Sequence, residues 1–258
     1  MRITHILRRL ERLLRLSRDM AECGFPLRYA LSRDWRSSFE AIRPGQLPRR
    51  VREPGGVIVD VGANVGDWAA SAVRLLRPDR IICFEPTPTT AMALRARLAS
   101  VTNAEVRELA VSSAEGSSRL ECWPIGELNS LQSLDPAARA LHGLQPGEAS
   151  TEVLVPTSTL DAQLIGAPQI RLLQVDVQGA EYQVVCGATA VLQRTACVQI
   201  EVLLRPNYYS GATLCVELLD YIQRVSPLRL SQILIHGLSS DSIGLWGDAV
   251  LINEDLLA

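Results

Sequence analysis

From residue 57 onward, short apolar runs alternate with amphipathic stretches at helical spacing, and this rhythm restricts the chain to an α/β fold. Residues 57–61, 81–84, 106–111, 170–175 and 197–202 read as strands; residues 67–76, 89–98, 180–193 and 214–225 read as helices. Two further strands, 233–235 and 249–252, close the chain. Strands this short and this apolar are buried on both faces, which implies a mainly parallel sheet with helices on each side. Ligands of such sheets bind beyond the C-terminal ends of the strands. Residues 112–156 break the rhythm. Residues 119–123 and 153–155 suggest short strands, and 126–150 read as a long loop, either a lid over a site or an insertion.

Charge divides the chain in two. Residues 1–52 carry 13 basic and 5 acidic side chains, whereas 53–258 carry 13 basic and 23 acidic. All 26 basic residues are arginine, a bias that points to no particular chemistry. Residues 1–52 are therefore read as an Arg-rich helical extension and linker, and 53–258 as the main domain. Within the extension, Ile3, Ile6, Leu7, Leu10, Leu13 and Leu14 line one face of a helix over residues 3–20, with arginines on the other. Such a helix packs on its own domain, on a protein partner, or on a membrane surface. The linker reading comes from Pro44, Gly45, Pro48, Pro54, Gly55 and Gly56. The acidic main domain opposes nucleic acid as a partner. No apolar run is long enough to span a bilayer. Cys83 and Cys197 lie in apolar runs as buried thiols, which suits a reducing, cytoplasmic setting.

The first strand-to-helix turn reads Asp60-Val61-Gly62-Ala63-Asn64-Val65-Gly66-Asp67. Gly62 and Gly66 permit a sharp turn and close backbone approach. Asp60 is expected to aim a carboxylate into the crevice. The glycine spacing departs from the dinucleotide fingerprint, and two acids beside a pyrophosphate would repel it, which disfavours a nicotinamide cofactor. Glu85 ends the second strand about 20 residues beyond the glycines, where an acid binds a ribose diol. Together these features suit a nucleoside with a cationic or zwitterionic tail, the description of S-adenosylmethionine.

VDVGANVGDWA, CFEPTPTT and LLQVDVQGAEYQVVCGA, with TSTLDAQL, VQIEVLLRPNYYSG and GDAVLINE, resemble FkbM-type methyltransferases over about residues 55–254. The resemblance implies a Rossmann-like sheet of seven strands with an antiparallel last strand. It also implies methyl transfer from S-adenosylmethionine, typically to a hydroxyl of a sugar or natural product, so the expected partner is a small-molecule or glycan acceptor. By position, Asp60, Gly62, Asn64 and Gly66 match the first cofactor motif and Glu85 the ribose acid. Ala110 and Val111 fall where adenine packs, although Ser112-Ser113 stand where the family often has an acid.

A hydroxyl nucleophile needs a proton acceptor within hydrogen-bond reach. Asp176, at the end of the 170–175 strand, is expected either to take that proton or to orient the cofactor amine. Glu201 interrupts an apolar strand, where an unpaired carboxylate is costly, and is the second catalytic candidate. His236, with its near-neutral intrinsic pKa, is a third. Asp176 and Glu201 read as a substrate-positioning pair rather than a metal site. Gln178 and Glu181 open the next helix, where an acid is favoured by the helix dipole alone. His142 would arrive with a lid, and Tyr208 and Tyr209 either line an acceptor pocket or pack. The competing reading is a non-catalytic S-adenosylmethionine-binding or partner module that docks through its N-terminal helix.

Overall fold

A computed structural model describes residues 14, 18, 20–22, 37–38, 42–145, 148–206, 208–238 and 243–257. Most of the helix expected over residues 3–20 lies outside these. The described residues form ten strands: β1 (Val57–Val61), β2 (Arg80–Phe84), β3 (Ala104–Arg107), β4 (Ala110–Val111), β5 (Gly116–Cys122), β6 (Thr151–Ser158), β7 (Ile170–Val175), β8 (Cys197–Leu203), β9 (Arg229–Leu238) and β10 (Gly244–Ile252). The helices are α1 (Arg49–Arg52), α2 (Asp67–Leu76), α3 (Pro88–Arg97), α4 (Pro136–Leu141), α5 (Leu160–Gln163), α6 (Glu181–Cys186), α7 (Thr189–Gln193) and α8 (Cys215–Val225).

Seven strands form one sheet in the order β3-β2-β1-β7-β8-β10-β9. The first five of these run parallel, and β10 is antiparallel to both β8 and β9. The chain therefore builds outward from β1 through β2 and β3, then returns to β1's other side and builds outward from β7. The reversal opens a crevice beyond β1 and β7, where parallel sheets of this kind bind ligands.

Pleat alternation explains why the strands are apolar throughout. Val57, Val59, Val61, Leu173, Val175, Val198 and Ile200 face one side, in a core shared with α6, α7 and α8. Ile58, Ile81, Leu172, Cys197 and Val250 face the other, against Ala69, Ala72, Leu75 and Leu76 of α2 and Leu94 of α3. Met20, Ile42, Leu47 and Val51 join this second core, so the described part of the N-terminal extension packs on the sheet. Two of them, Leu47 and Val51, sit in the stretch whose Pro and Gly content suggests a linker.

Three elements differ from the sequence reading. The strand expected over 106–111 is divided: β3 ends at Arg107 in the large sheet, and β4 belongs to a second, three-stranded sheet ordered β4-β6-β5. The helix expected over 180–193 breaks at Gly187 into α6 and α7, and this position admits no side chain, since a Cβ there would stand 2.2 Å from the Ser112 carbonyl. Residues 126–145 are not featureless. They hold α4, capped by Asp135 accepting from the Ala137 N–H at 2.8 Å. Leu128, Leu134, Ala138 and Leu144 form a third core with Trp123, Leu203, Tyr208 and Tyr209.

Gly62 fixes the crevice floor. Its φ is +86°, and a Cβ would lie 1.9 Å from the Asp176 carbonyl oxygen. Gly62→Ala should lower the melting temperature and cost at least ~2 kcal/mol, from left-handed strain plus displaced backbone. An unchanged melt would mean that the ends of β1 and β7 separate freely.

Candidate active site

A cavity of about 400 Å³ opens beyond the C-terminal ends of β1, β2, β7 and β8, within the size range of small-molecule sites. Of the residues singled out from sequence, Gly62, Asn64, Glu85, Ala110, Val111, Asp176 and Glu201 line it. Asp60, Gly66 and His236 do not. Asp60 is one pleat below the rim, on the face covered by α2, so its carboxylate does not aim into the crevice as expected. Gly66 serves packing: with φ +87°, it leaves room for Leu94 of α3, whose Cδ1 would lie 2.5 Å from an added Cβ. His236 stands on the outer strand β9, where its ring meets Asp248 at 2.9 Å and also Arg43. Arg43 donates to the same Asp248 oxygen at 2.7 Å. That network belongs to the contact between extension and sheet, which removes His236 from the candidate bases.

One end of the cavity is built by the turns after β1 and β2 and by β4 with Leu109 before it. Glu85 is buried, and its carboxylate accepts the Asn64 N–H at 3.1 Å and the Thr87 N–H at 2.9 Å. Burial raises its pKa, and these backbone donors oppose the rise. A carboxylate has further lone pairs, so Glu85 can still accept from a diol. Phe84, Leu109, Ala110 and Val111 add an apolar wall beside it.

The other end gathers acids and rings. Asp176, Glu181 and Glu201 each offer an oxygen within 4.8 Å of the others. Glu181 is already engaged, accepting the N–H groups of Val177 and Gly179 at 3.0 Å. Burial pushes it up to about 7. Asp176 and Glu201 remain for a ligand. Burial raises Asp176 to about 6, against the donor Gln178. Glu201 rises well above its ordinary range, from burial first and then from Asp176, Glu181 and Asp248. Two carboxyls this close do not both ionise readily at neutral pH.

Tyr208 and Trp246 pack at 5.1 Å between ring centroids and close this end with His142, whose ring bonds the Tyr208 hydroxyl. Tyr208 thus both packs and lines the cavity. Burial lowers the His142 pKa, so the ring is neutral at physiological pH. The contributions of Glu127, Asn129 and Trp246 were not visible in sequence. They come from the insertion and from β10, and only the sheet order brings them to this rim.

Charge decides what the cavity accepts. Glu85, Glu127 and Asp176 line it with Glu201, which is pressed towards its protonated form, and with Asp67, which pairs with Arg97 at the rim; among the described residues no arginine lines it. Beneath them, Asp60 Oδ2 is buried without a hydrogen bond. Its pKa is pushed up to about 8 by burial, then by Asp176 and Glu85. Such a cavity repels phosphates and favours a cation.

The FkbM methyltransferase domain matches residues 60–226, from the end of β1 through α8. The chain belongs to the FkbM methyltransferase family. The 2-O-methyltransferase NoeI of Sinorhizobium fredii (strain NBRC 101917 / NGR234) is 27% identical over 164 residues, which cover 60% of this chain and 67% of that protein. Among solved structures, an rRNA methylase from Streptococcus thermophilus is similar at a TM-score of 0.44 and 11% identity, covering 86% of this chain and 96% of that one. Aeropyrum pernix fibrillarin, solved with S-adenosyl-L-methionine, gives 0.45 and 11%, covering 82% and 72%.

The Asp60 carboxyl makes the stability of this FkbM domain pH-dependent. Its folded pKa, about 8, lies above the ordinary carboxylate value. The fold therefore holds a proton that the unfolded chain releases above about pH 4, and stability falls as pH rises from there through 8. Asp60→Asn should gain on the wild type as pH rises, by up to ~1.4 kcal/mol per pH unit. Denaturant melts at about pH 5 and about pH 8 measure the gap; equal gaps would place an ionised Asp60 in the fold throughout.

Proposed function

We propose that this protein transfers a methyl group from S-adenosylmethionine to a hydroxyl oxygen of an uncharged sugar or natural product. The acid-lined, arginine-free cavity carries this reading. S-adenosylmethionine is a nucleoside with no phosphate whose tail carries a sulfonium and an ammonium against one carboxylate, a net positive charge that suits an acidic wall. The unpaired Asp60 oxygen fits the same ligand, since a nearby cation favours the ionised acid. An acceptor bearing phosphate would meet the same repulsion as a dinucleotide. The similarity to a 2-O-methyltransferase supports oxygen as the nucleophile.

Glu85 would hold the ribose diol, and Phe84, Ala110 and Val111 the adenine. The sulfonium supplies an electrophilic methyl group when bound. Asp176, at the junction of the two halves, would accept the proton of the acceptor hydroxyl. With its pKa raised to about 6, it is a stronger base than an exposed aspartate and is still largely ionised at neutral pH. Leu128, Tyr208 and Trp246 would exclude water and fix the acceptor against Asp176. Alignment of this kind supplies ~7–11 kcal/mol of a barrier in favourable cases. Buried free thiols at Cys83 and Cys197 support a cytoplasmic setting.

Calorimetric titration of S-adenosylmethionine and NAD into the purified chain tests the cofactor. The first should bind, NAD should be silent, and Glu85→Ala should weaken binding by at least about tenfold, the loss of a charge-assisted hydrogen bond. Incubation with neutral glycosides should then yield S-adenosylhomocysteine. Binding of NAD instead would overturn the reading. Failure of folded protein to bind either would favour a non-catalytic module docking through its N-terminal segment.

A further inference from the structure

Gln178 sits between the two acids and is held on every side. Its Nε2 donates to Asp176 Oδ1 at 2.6 Å and lies 3.3 Å from Glu201 Oε2. The Tyr209 hydroxyl donates to its Oε1 at 2.7 Å. Its backbone is left-handed, with φ +57°, and its carbonyl accepts from Ser130 Oγ at 2.6 Å. An ionised carboxylate only accepts hydrogen bonds, so the nitrogen side of the amide must face Asp176. Tyr209 then fills the oxygen side and prevents the amide from flipping.

We infer that Gln178 is a positioning residue: clamped by Tyr209 and Ser130, its amide keeps Asp176 the proton-accepting carboxylate and Glu201 its neutral companion. This rests on the proposed role of Asp176 and deepens it. Without the amide, two close acids would share one proton, and their surroundings alone would have to decide which carboxyl keeps it. A donor to one carboxylate favours the charged form of that group. The short bond goes to Asp176 and the long one to Glu201, so the charge is steered to Asp176. Burial, Asp176, Glu181 and Asp248 all press Glu201 towards its protonated form. Asp176 also faces Glu127 and Asp248, which oppose its ionisation, and His236, which assists it. Ser130 ties the backbone of this device to the insertion that forms the acceptor wall.

The test reads the protons directly and needs no acceptor. Carboxyl-¹³C NMR titrations of the full chain would follow Asp176 and Glu201, assigned with Asp176→Asn and Glu201→Gln. Gln178→Ala should raise the Asp176 titration by about one unit, as expected for loss of a hydrogen-bond donor to a carboxylate. Tyr209→Phe keeps the amide but frees it to flip, and should shift Asp176 in the same direction by a smaller amount. It also stands in if Gln178→Ala fails to fold. Titrations that coincide with wild type in a folded variant would overturn the inference. If the wild type transfers methyl, the acid limb of its kcat profile should move upward in Gln178→Ala by the same interval, whereas a purely structural role would lower kcat equally at all pH. Failure of methyl transfer by the wild type would count against the proposed function and leave the NMR result to judge Gln178 separately.

Discussion

The site depends on how closely the ends of β1 and β7 approach. The turn after β1 passes so near the Asp176 carbonyl that no side chain fits at Gly62, and the Asp176 N–H bonds the Val61 carbonyl at 3.0 Å. This contact is a consequence of topology: the chain turns back to β1's free edge after β3, so β1 and β7 become neighbours although more than a hundred residues separate them. Once they are locked, Asn64 and Glu85 stand on one side of the crevice and Asp176 and Glu201 on the other. The two chemical halves of a transfer reaction then share one cavity without a domain hinge.

The same contact concentrates negative charge. After burial itself, Asp176 and Glu85 raise the Asp60 pKa across the β1–β7–β2 junction, and Asp176, Glu181 and Asp248 raise that of Glu201. Burying like charges opposes folding, and cores rarely tolerate it without function. Backbone N–H groups satisfy Glu85 and Glu181, and Gln178 satisfies Asp176, so the cost is reduced by hydrogen bonds rather than by cations. What remains uncompensated is a field suited to a cation. Basic side chains near the rim are used elsewhere: Arg97 pairs with Asp67 on the surface, and Arg43 is held by Asp248.

The sheet and the nucleoside end were legible because their information is local. A strand, a glycine turn and a helix N-terminus occupy consecutive residues, and β1 and α2 have the bounds the pattern predicts. Glu85 follows from the same logic one unit later. The failures are those of pleat and register. Asp60 and Gly62 look equivalent in the motif, yet a strand residue two positions back lies a full pleat deeper, under α2. His236 has suitable chemistry, but its strand is the sheet's outer edge, two places from β8. The requirement for glycine at 187 comes from the Ser112 carbonyl, distant in sequence, which no local window contains.

The end with the acids and rings was legible only in part: Asp176, Glu201, His142 and Tyr208 could each be named, but no shared motif joins them or reveals Glu127 and Trp246. Glu127 and His142 come from the insertion, Tyr208 from the loop after β8, and Trp246 from β10, which runs against its neighbours. The insertion nevertheless behaves as part of the domain. Trp123, Leu128, Leu134 and Ala138 bury against Tyr208 and Tyr209, and Asp135 accepts no part in the cavity but caps the helix that carries the loop to it. Leu134 and Tyr209 form a backbone bridge, and Ser130 reaches the Gln178 carbonyl. Tyr209 is thus shared: its ring belongs to the insertion's core and its hydroxyl to the clamp on Gln178. On the proposed reading, a reshaped insertion would therefore also move the residue that holds Gln178 between the acids, so acceptor specificity and proton chemistry would be mechanically linked.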